Sequence, residues 1–125
     1  MRSIDEHNFS TEVLESTVPV LVHFWAPWCG LCRAIEPLLR AVEAEAGDRL
    51  QIAGINAVRA LQLASQYQLT ALPTLILFDG GRVAYRIDGY YGRDDLRLAL
   101  KDVVRQVATL QFKIQNSKFK IKTSV

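Results

Sequence analysis

Two cysteines three residues apart, Cys29 and Cys32, are the side chains best suited to covalent chemistry, in the run Trp25-Ala26-Pro27-Trp28-Cys29-Gly30-Leu31-Cys32. Four chemistries use such a pair. A zinc or iron–sulfur centre needs about four ligands, and His7 and His23 are the only histidines that could complete one. Covalent haem attachment needs a histidine directly after the second cysteine, where Arg33 stands. A purely structural disulfide would close too short a loop to stabilise much, and intracellular redox conditions oppose it. The fourth, a redox dithiol, fits the surroundings best. The pair follows an apolar run and opens a helical pattern, so Cys29 is expected at a helix N-terminus. Free N–H groups and the helix dipole there stabilise a thiolate, lowering a pKa that starts near 8.5. Cys32 lies one turn on and deeper, placed to resolve a mixed disulfide.

The elements that must hold this pair are readable from periodicity. Val18 to Trp25 is a nearly continuous β-branched and aromatic run, as expected of a strand buried on both faces. From Cys29 to Ala46 the apolar spacing is helical, with Gly47 ending it and Pro37 kinking it. Upstream, Phe9, Val13 and Leu14 suggest a short helix capped by Asn8 or Ser10. Leu50 to Ile55 alternates as a strand, and Ala57 to Tyr67 has helical spacing. Thr74–Phe78 and Arg82–Ile87 form a hairpin across Asp79-Gly80-Gly81. A final amphipathic helix is expected from Arg93 to Leu110. The order implies an α/β fold: one mixed sheet, parallel at first and antiparallel at the hairpin, with helices on both faces.

At 125 residues, half of them hydrophobic and 22% charged, the chain has the balance of one globular domain. Its length lets it bury a core without metal or disulfide staples. No apolar run nears the roughly 20 residues of a bilayer span, and the first seven residues lack the apolar stretch of a signal peptide. A soluble, cytoplasmic monomer with no membrane association is expected. Charge is uneven. Eleven basic residues face thirteen acidic ones through Leu110, whereas the last fifteen residues carry Lys113, Lys118, Lys120 and Lys122 and no acid. A basic footprint is missing outside that end, so nucleic acid is a poor partner. The division is a domain over 1–110 and a basic extension over 111–125.

The stretch VLVHFWAPWCGLCRAIEPLL, followed by TALPTLILFDGGRVAYRIDGYYG, resembles the thioredoxin family. The likeness runs from about Phe9 to Val107 and takes in the tryptophan-flanked cysteines, Pro37, the Leu72-Pro73-Thr74 turn and Gly89. It implies a thioredoxin-like fold and a protein disulfide reductase serving electron transport and cell redox homeostasis. Its redox group would be the Cys29–Cys32 disulfide, with no bound cofactor or metal. Cys29 matches the attacking thiolate, Cys32 the resolving thiol and Pro73 a cis-proline facing them. Leu72 would offer its backbone to an extended substrate segment. Trp28, Gly30, Leu31, Leu72, Pro73, Thr74 and Gly89 would make the contact surface for disulfide-bearing protein substrates, and Trp25 would pack beneath it. A thioredoxin reductase, nicotinamide-flavin or ferredoxin-linked, would restore the dithiol.

Three departures from the family pattern stand out. Leu31 occupies the place of a usual proline, which restores a backbone N–H near the helix start and predicts a more oxidising potential. His23 replaces the buried Asp, and Gly54 the Lys that accompanies it. Neutral His23 could accept the Cys32 proton, or it could be a core histidine satisfied by a backbone carbonyl. The basic end has no family counterpart. Its alternating runs around Asn116-Ser117 would pair as a hairpin with an apolar face, or form a disordered tail. Two other functions fit these departures: a partner-specific binding or regulatory module, and a thiol oxidase or isomerase.

Overall fold

The computed structural model describes residues 1–89 and 94–107. Its sheet has five strands in the order β1-β3-β2-β4-β5: β1 Arg2–Ile4, β2 Val20–Trp25, β3 Gln51–Asn56, β4 Thr74–Asp79 and β5 Arg82–Asp88. β3 pairs in parallel with both β1 and β2, whereas β4 runs antiparallel to β2 and β5. The helices are α1 Gly30–Ala34, α2 Glu36–Ala46, α3 Leu61–Gln66 and α4, helical over the described residues 94–107. The α/β fold with a mixed open sheet is therefore as expected. The basic segment 111–125, with its hairpin-or-tail alternatives, lies outside the described residues.

Alternation along β2 feeds two cores. Leu21, with Leu75 and Leu77 of β4, packs against Ile35 and Leu39 and against Leu96 and Leu100 of α4. On the other face Val20, Val22 and Phe24 meet Phe9, Val13, Leu63 and Phe78. The rings of Phe9, Tyr67 and Phe78 meet edge to face, with centroids 5.4 to 5.9 Å apart. Each central strand is sealed on both sides, which fixes its register and the position of its C-terminal end.

Several boundaries differ from expectation for local reasons. β1 is only three residues long, and Ile4 is its one buried side chain, too little to produce a periodic signal. The first helical stretch is a turn over Ser10–Leu14, and neither Asn8 nor Ser10 alone caps it. Asp5 Oδ1 instead accepts from the N–H groups of His7 and Asn8 (2.9 and 3.1 Å), while Asn8 Oδ1 accepts from the Asp5 N–H at 2.8 Å. This reciprocal arrangement satisfies free donors in the manner of a capping box. α3 starts four residues after Ala57, because Asn56 Oδ1 accepts from the Val58 N–H (3.0 Å) and holds the chain in a turn. Pro37 lies in the first turn of α2, and the helical run from Gly30 to Ala46 breaks at Ile35. Gly47, at φ 59°, ends it.

The β4–β5 turn gives a direct test of backbone demand. Gly80 and Gly81 have φ of 59° and 81°, the pair of positive values a tight hairpin requires. A Cβ at Gly81 would also lie 2.9 Å from the Leu14 carbonyl oxygen. Gly81→Ala is therefore expected to destabilise the fold by about 2 kcal/mol or more, measured by urea unfolding, since strain and a backbone clash add.

Candidate functional site

The reactive pair sits where β2 gives way to α1. After Trp25 the chain turns through Pro27 and Trp28, closed by the Cys29 N–H donating to the Ala26 carbonyl at 3.0 Å. The Arg33 guanidinium braces the same turn by donating to the Pro27 carbonyl at 3.2 Å. Cys29 is the N-cap residue of α1, and its Sγ accepts from the Cys32 N–H at 3.1 Å. The two cysteines are joined as a disulfide with Cα atoms 5.3 Å apart. Both are largely covered, Cys29 at 6% exposure and Cys32 at 2%, whereas the flanking Trp28 and Leu31 are 71% and 53% exposed. Gly30, also exposed, separates them.

A second segment closes over the pair. Leu72 and Trp25 pack against Ala26, Cys29 and Cys32, and the Leu72–Pro73 peptide is cis. The loop is held from below: the Gly89 N–H donates to the Pro73 carbonyl at 2.8 Å, and the Thr74 hydroxyl to the Ala71 carbonyl at 2.6 Å. Gly89 has φ 70°, a conformation that favours glycine. Cys29, Cys32 and Leu72 are thus in contact, with Pro73 next to Leu72 in the chain and Gly89 hydrogen-bonded to Pro73. Thr74, expected on the contact surface, is instead fully buried. Its hydroxyl is turned inward to a carbonyl, so it shapes the loop rather than facing a substrate.

His23 lies mid-way along β2, with Gly54 and Leu75 as its neighbours across the sheet. It is 1% exposed, and its Nε2 has no hydrogen-bond partner among the described residues. Burial pushes its pKa down to about 4, because the protein interior penalises the charged imidazolium. The imidazole is therefore neutral at pH 7. Gly54 does not leave a vacant channel in place of a longer side chain: a Cβ there would stand 3.3 Å from Trp25 Nε1 and 3.7 Å from Met1 Sδ.

Two features escaped the sequence. Arg86 on β5 donates from Nε to both carboxylate oxygens of Asp88 (2.8 and 3.0 Å), and also to the carbonyls of Tyr67 and, at 3.0 Å, Gln68. It thereby anchors the end of α3, from which the chain runs to Leu72 and Pro73. Leu61 at the start of α3 and Val58 in the turn before it, both exposed, line a groove with Trp28 and Leu72. Both depend on partners distant in sequence. Among the described residues no group of three His, Cys, Asp or Glu side chains is placed to hold a metal ion.

A cysteine pair at a strand-to-helix junction, faced by a cis-proline loop, is matched by one family model, Thioredoxin, over residues 1–102. The chain belongs to the thioredoxin family. It is 39% identical over 104 residues to a thioredoxin of Mycolicibacterium smegmatis, covering 82% of this chain and 93% of that protein. With the chloroplastic M-type thioredoxin of Chlamydomonas reinhardtii it shares 40% identity over 87 residues, 70% of this chain and 62% of that one. A third relative, from Mycobacterium leprae, is a bifunctional thioredoxin reductase/thioredoxin, 38% identical over 101 residues. That match takes in 81% of this chain but only 22% of the relative, so the chain spans less than two thirds of these last two proteins. Thioredoxin-family proteins are protein-disulfide oxidoreductases, and the redox-active group is the cysteine pair itself, here Cys29 and Cys32. Among the described residues no helix is long and apolar enough to cross a membrane.

Proposed function

We propose that the protein acts as a thioredoxin, reducing disulfides in other proteins through residues 1–110, with 111–125 as a basic extension. The observation that carries this reading is the Cys29–Cys32 disulfide at the head of α1, packed against the Leu72–Pro73 loop. In the dithiol form, the Cys29 thiolate attacks one sulfur of a target disulfide. A bond forms between Cys29 Sγ and that sulfur, and the other target sulfur leaves as a thiolate that takes up a proton. Cys32 then loses its proton and attacks Cys29 Sγ, releasing the second target thiol and closing the Cys29–Cys32 disulfide. Two electrons pass from protein to target. Cys29 is favoured as the attacking sulfur because it is the less covered of the two and already accepts an N–H bond that would stabilise its thiolate.

Trp28, Gly30, Leu31, Leu72, Pro73 and Gly89 form the contact surface in this reading, and the buried Thr74 positions it. His23 enters as a weak base: an imidazole whose pKa is about 4 accepts a thiol proton only at a steep uphill cost. His23→Ala is expected to slow turnover by no more than about tenfold. A separate thioredoxin reductase, nicotinamide-flavin or ferredoxin-linked, returns the electrons; the relative from Mycobacterium leprae, a bifunctional thioredoxin reductase/thioredoxin, supports such a partner. The protein works as a cytoplasmic monomer in electron transport, without nucleic acid or membrane.

Reduction of insulin disulfides, with a chemical dithiol as electron source, tests the activity without any partner. Brisk precipitation of the insulin B chain is the expected result. A folded protein that turns over no faster than the dithiol alone would sink the reading and favour a binding module. Leu31 adds a second check. Leu31→Pro removes an N–H from the first turn of α1 and is expected to lower the reduction potential by about 30 mV, measured against glutathione.

A further inference from the structure

Among the described residues, seven large hydrophobic side chains are exposed, and three of them, Trp28, Val58 and Leu61, line a single groove. The groove has a volume of about 370 Å³ and is completed mainly by Leu69 and Leu72, with alanines between. None of its lining side chains is charged. Nothing in the fold requires this. Leu61, the first residue of α3, is 69% exposed and Val58 is 49% exposed, so polar side chains would serve the core equally well. A concentrated exposed apolar surface marks a contact site.

The position of the groove says what it contacts. Trp28 immediately precedes Cys29, and Leu72 both lines the groove and packs against the cysteine pair. Through these two residues the groove adjoins the cysteine pair, so a target joined to Cys29 would lie beside it. The Asn56 side chain and the Arg86 clamp hold the two ends of the α3 segment, so the groove is pre-formed. In an extended target segment, side chains two residues apart point the same way, roughly 7 Å apart. The residue that shares the side of the attacked cysteine is the one two positions away.

We propose that this groove selects protein targets carrying a large aliphatic side chain two residues from the attacked cysteine, with Val58 and Leu61 as specificity-determining residues. The inference rests on the disulfide-reductase reading above and adds the class of segment that is reduced fastest. Short peptides with one cysteine, joined as symmetrical disulfides, provide the probe. One has serine at every flanking position, one has leucine two residues to either side of the cysteine, and one has leucine at the adjacent positions. The second-order rate constant for oxidation of the pre-reduced protein is read by stopped-flow tryptophan fluorescence. The leucine-at-two peptide is expected to react about tenfold faster than the serine peptide, the gain from burying most of one leucine side chain. The adjacent-leucine peptide should match the serine peptide. In a Val58→Ser/Leu61→Ser protein, verified as folded by circular dichroism, the tenfold ratio should fall to twofold or less. Equal rates for all three peptides would overturn the groove while leaving the reductase reading intact. Equal acceleration by both leucine peptides, or a ratio unchanged in the double variant, would also overturn it. Failure of the protein to react with any peptide would remove the reductase reading and the groove together.

Discussion

A Cys32→Ser protein is expected to lose multiple turnover by a factor on the order of a thousand, yet to capture its targets. The reason lies in the division of labour between two sulfurs one helical turn apart. Cys29 needs no help from Cys32 side-chain chemistry to attack, since its activating contact is with the Cys32 backbone N–H, which serine retains. The mixed disulfide should therefore form at close to the normal rate. Its resolution requires a second sulfur beside Cys29, and the buried hydroxyl of serine at ordinary pH is far too weakly acidic to supply a nucleophile. The measurement is insulin turnover together with non-reducing electrophoresis of the protein after incubation with a disulfide substrate. Loss of turnover with a stoichiometric mixed-disulfide band is the expected pair of results. Turnover within tenfold of the natural protein would mean that Cys32 does not resolve the intermediate. Loss of both turnover and capture in a folded protein would mean that Cys29 is not the attacking sulfur.

What could be read from the sequence divides along the range of the signals. The cysteine pair, the apolar run before it, Pro37 and Gly80-Gly81 each impose a local chemical or conformational demand, and each element stands where that demand puts it. The start of α3 lies later than the spacing implies, because Ala57 and Val58 continue an apolar pattern while the Asn56 side chain diverts the backbone. Asn8 and Ser10 lie nearer the apolar residues and so read as caps, whereas the reciprocal Asp5–Asn8 pair satisfies more donors. Arg86 and the Val58–Leu61 groove had no signal at all, since their meaning comes from segments about 20 to 30 residues away that only the folded sheet assembles. His23 was legible as a substitution in a buried strand. That its Nε2 goes unpartnered, rather than meeting a backbone carbonyl, follows from what β3, β4 and the neighbouring packing leave open.

The folded protein is expected to lose about 2 kcal/mol between pH 7 and pH 5, and about 3 kcal/mol by pH 4, through His23 alone. The sign follows from where the proton goes. In the unfolded chain the imidazole titrates at its ordinary value of 6.5, whereas burial lowers it to about 4 in the fold. Between these values the unfolded state binds a proton that the native state refuses, so stability falls as pH falls through 6.5 and levels off below 4. His23→Leu removes the titration and the unpartnered ring nitrogen together. Its stability at pH 7 should equal or exceed that of the natural protein, because an apolar side chain of similar size leaves no buried polar atom unsatisfied. Urea unfolding of the two proteins at pH 7, 5 and 4 isolates the effect, since the carboxylates common to both cancel in the difference. A difference that stays constant across that range would show that His23 is protonated as readily in the fold as out of it. The growing difference has a functional corollary. A histidine that resists protonation this strongly keeps the buried middle of β2 uncharged at neutral pH. The thiolate at Cys29 then depends on the α1 backbone N–H groups for its stabilisation, with no buried cation on β2 to supplement them.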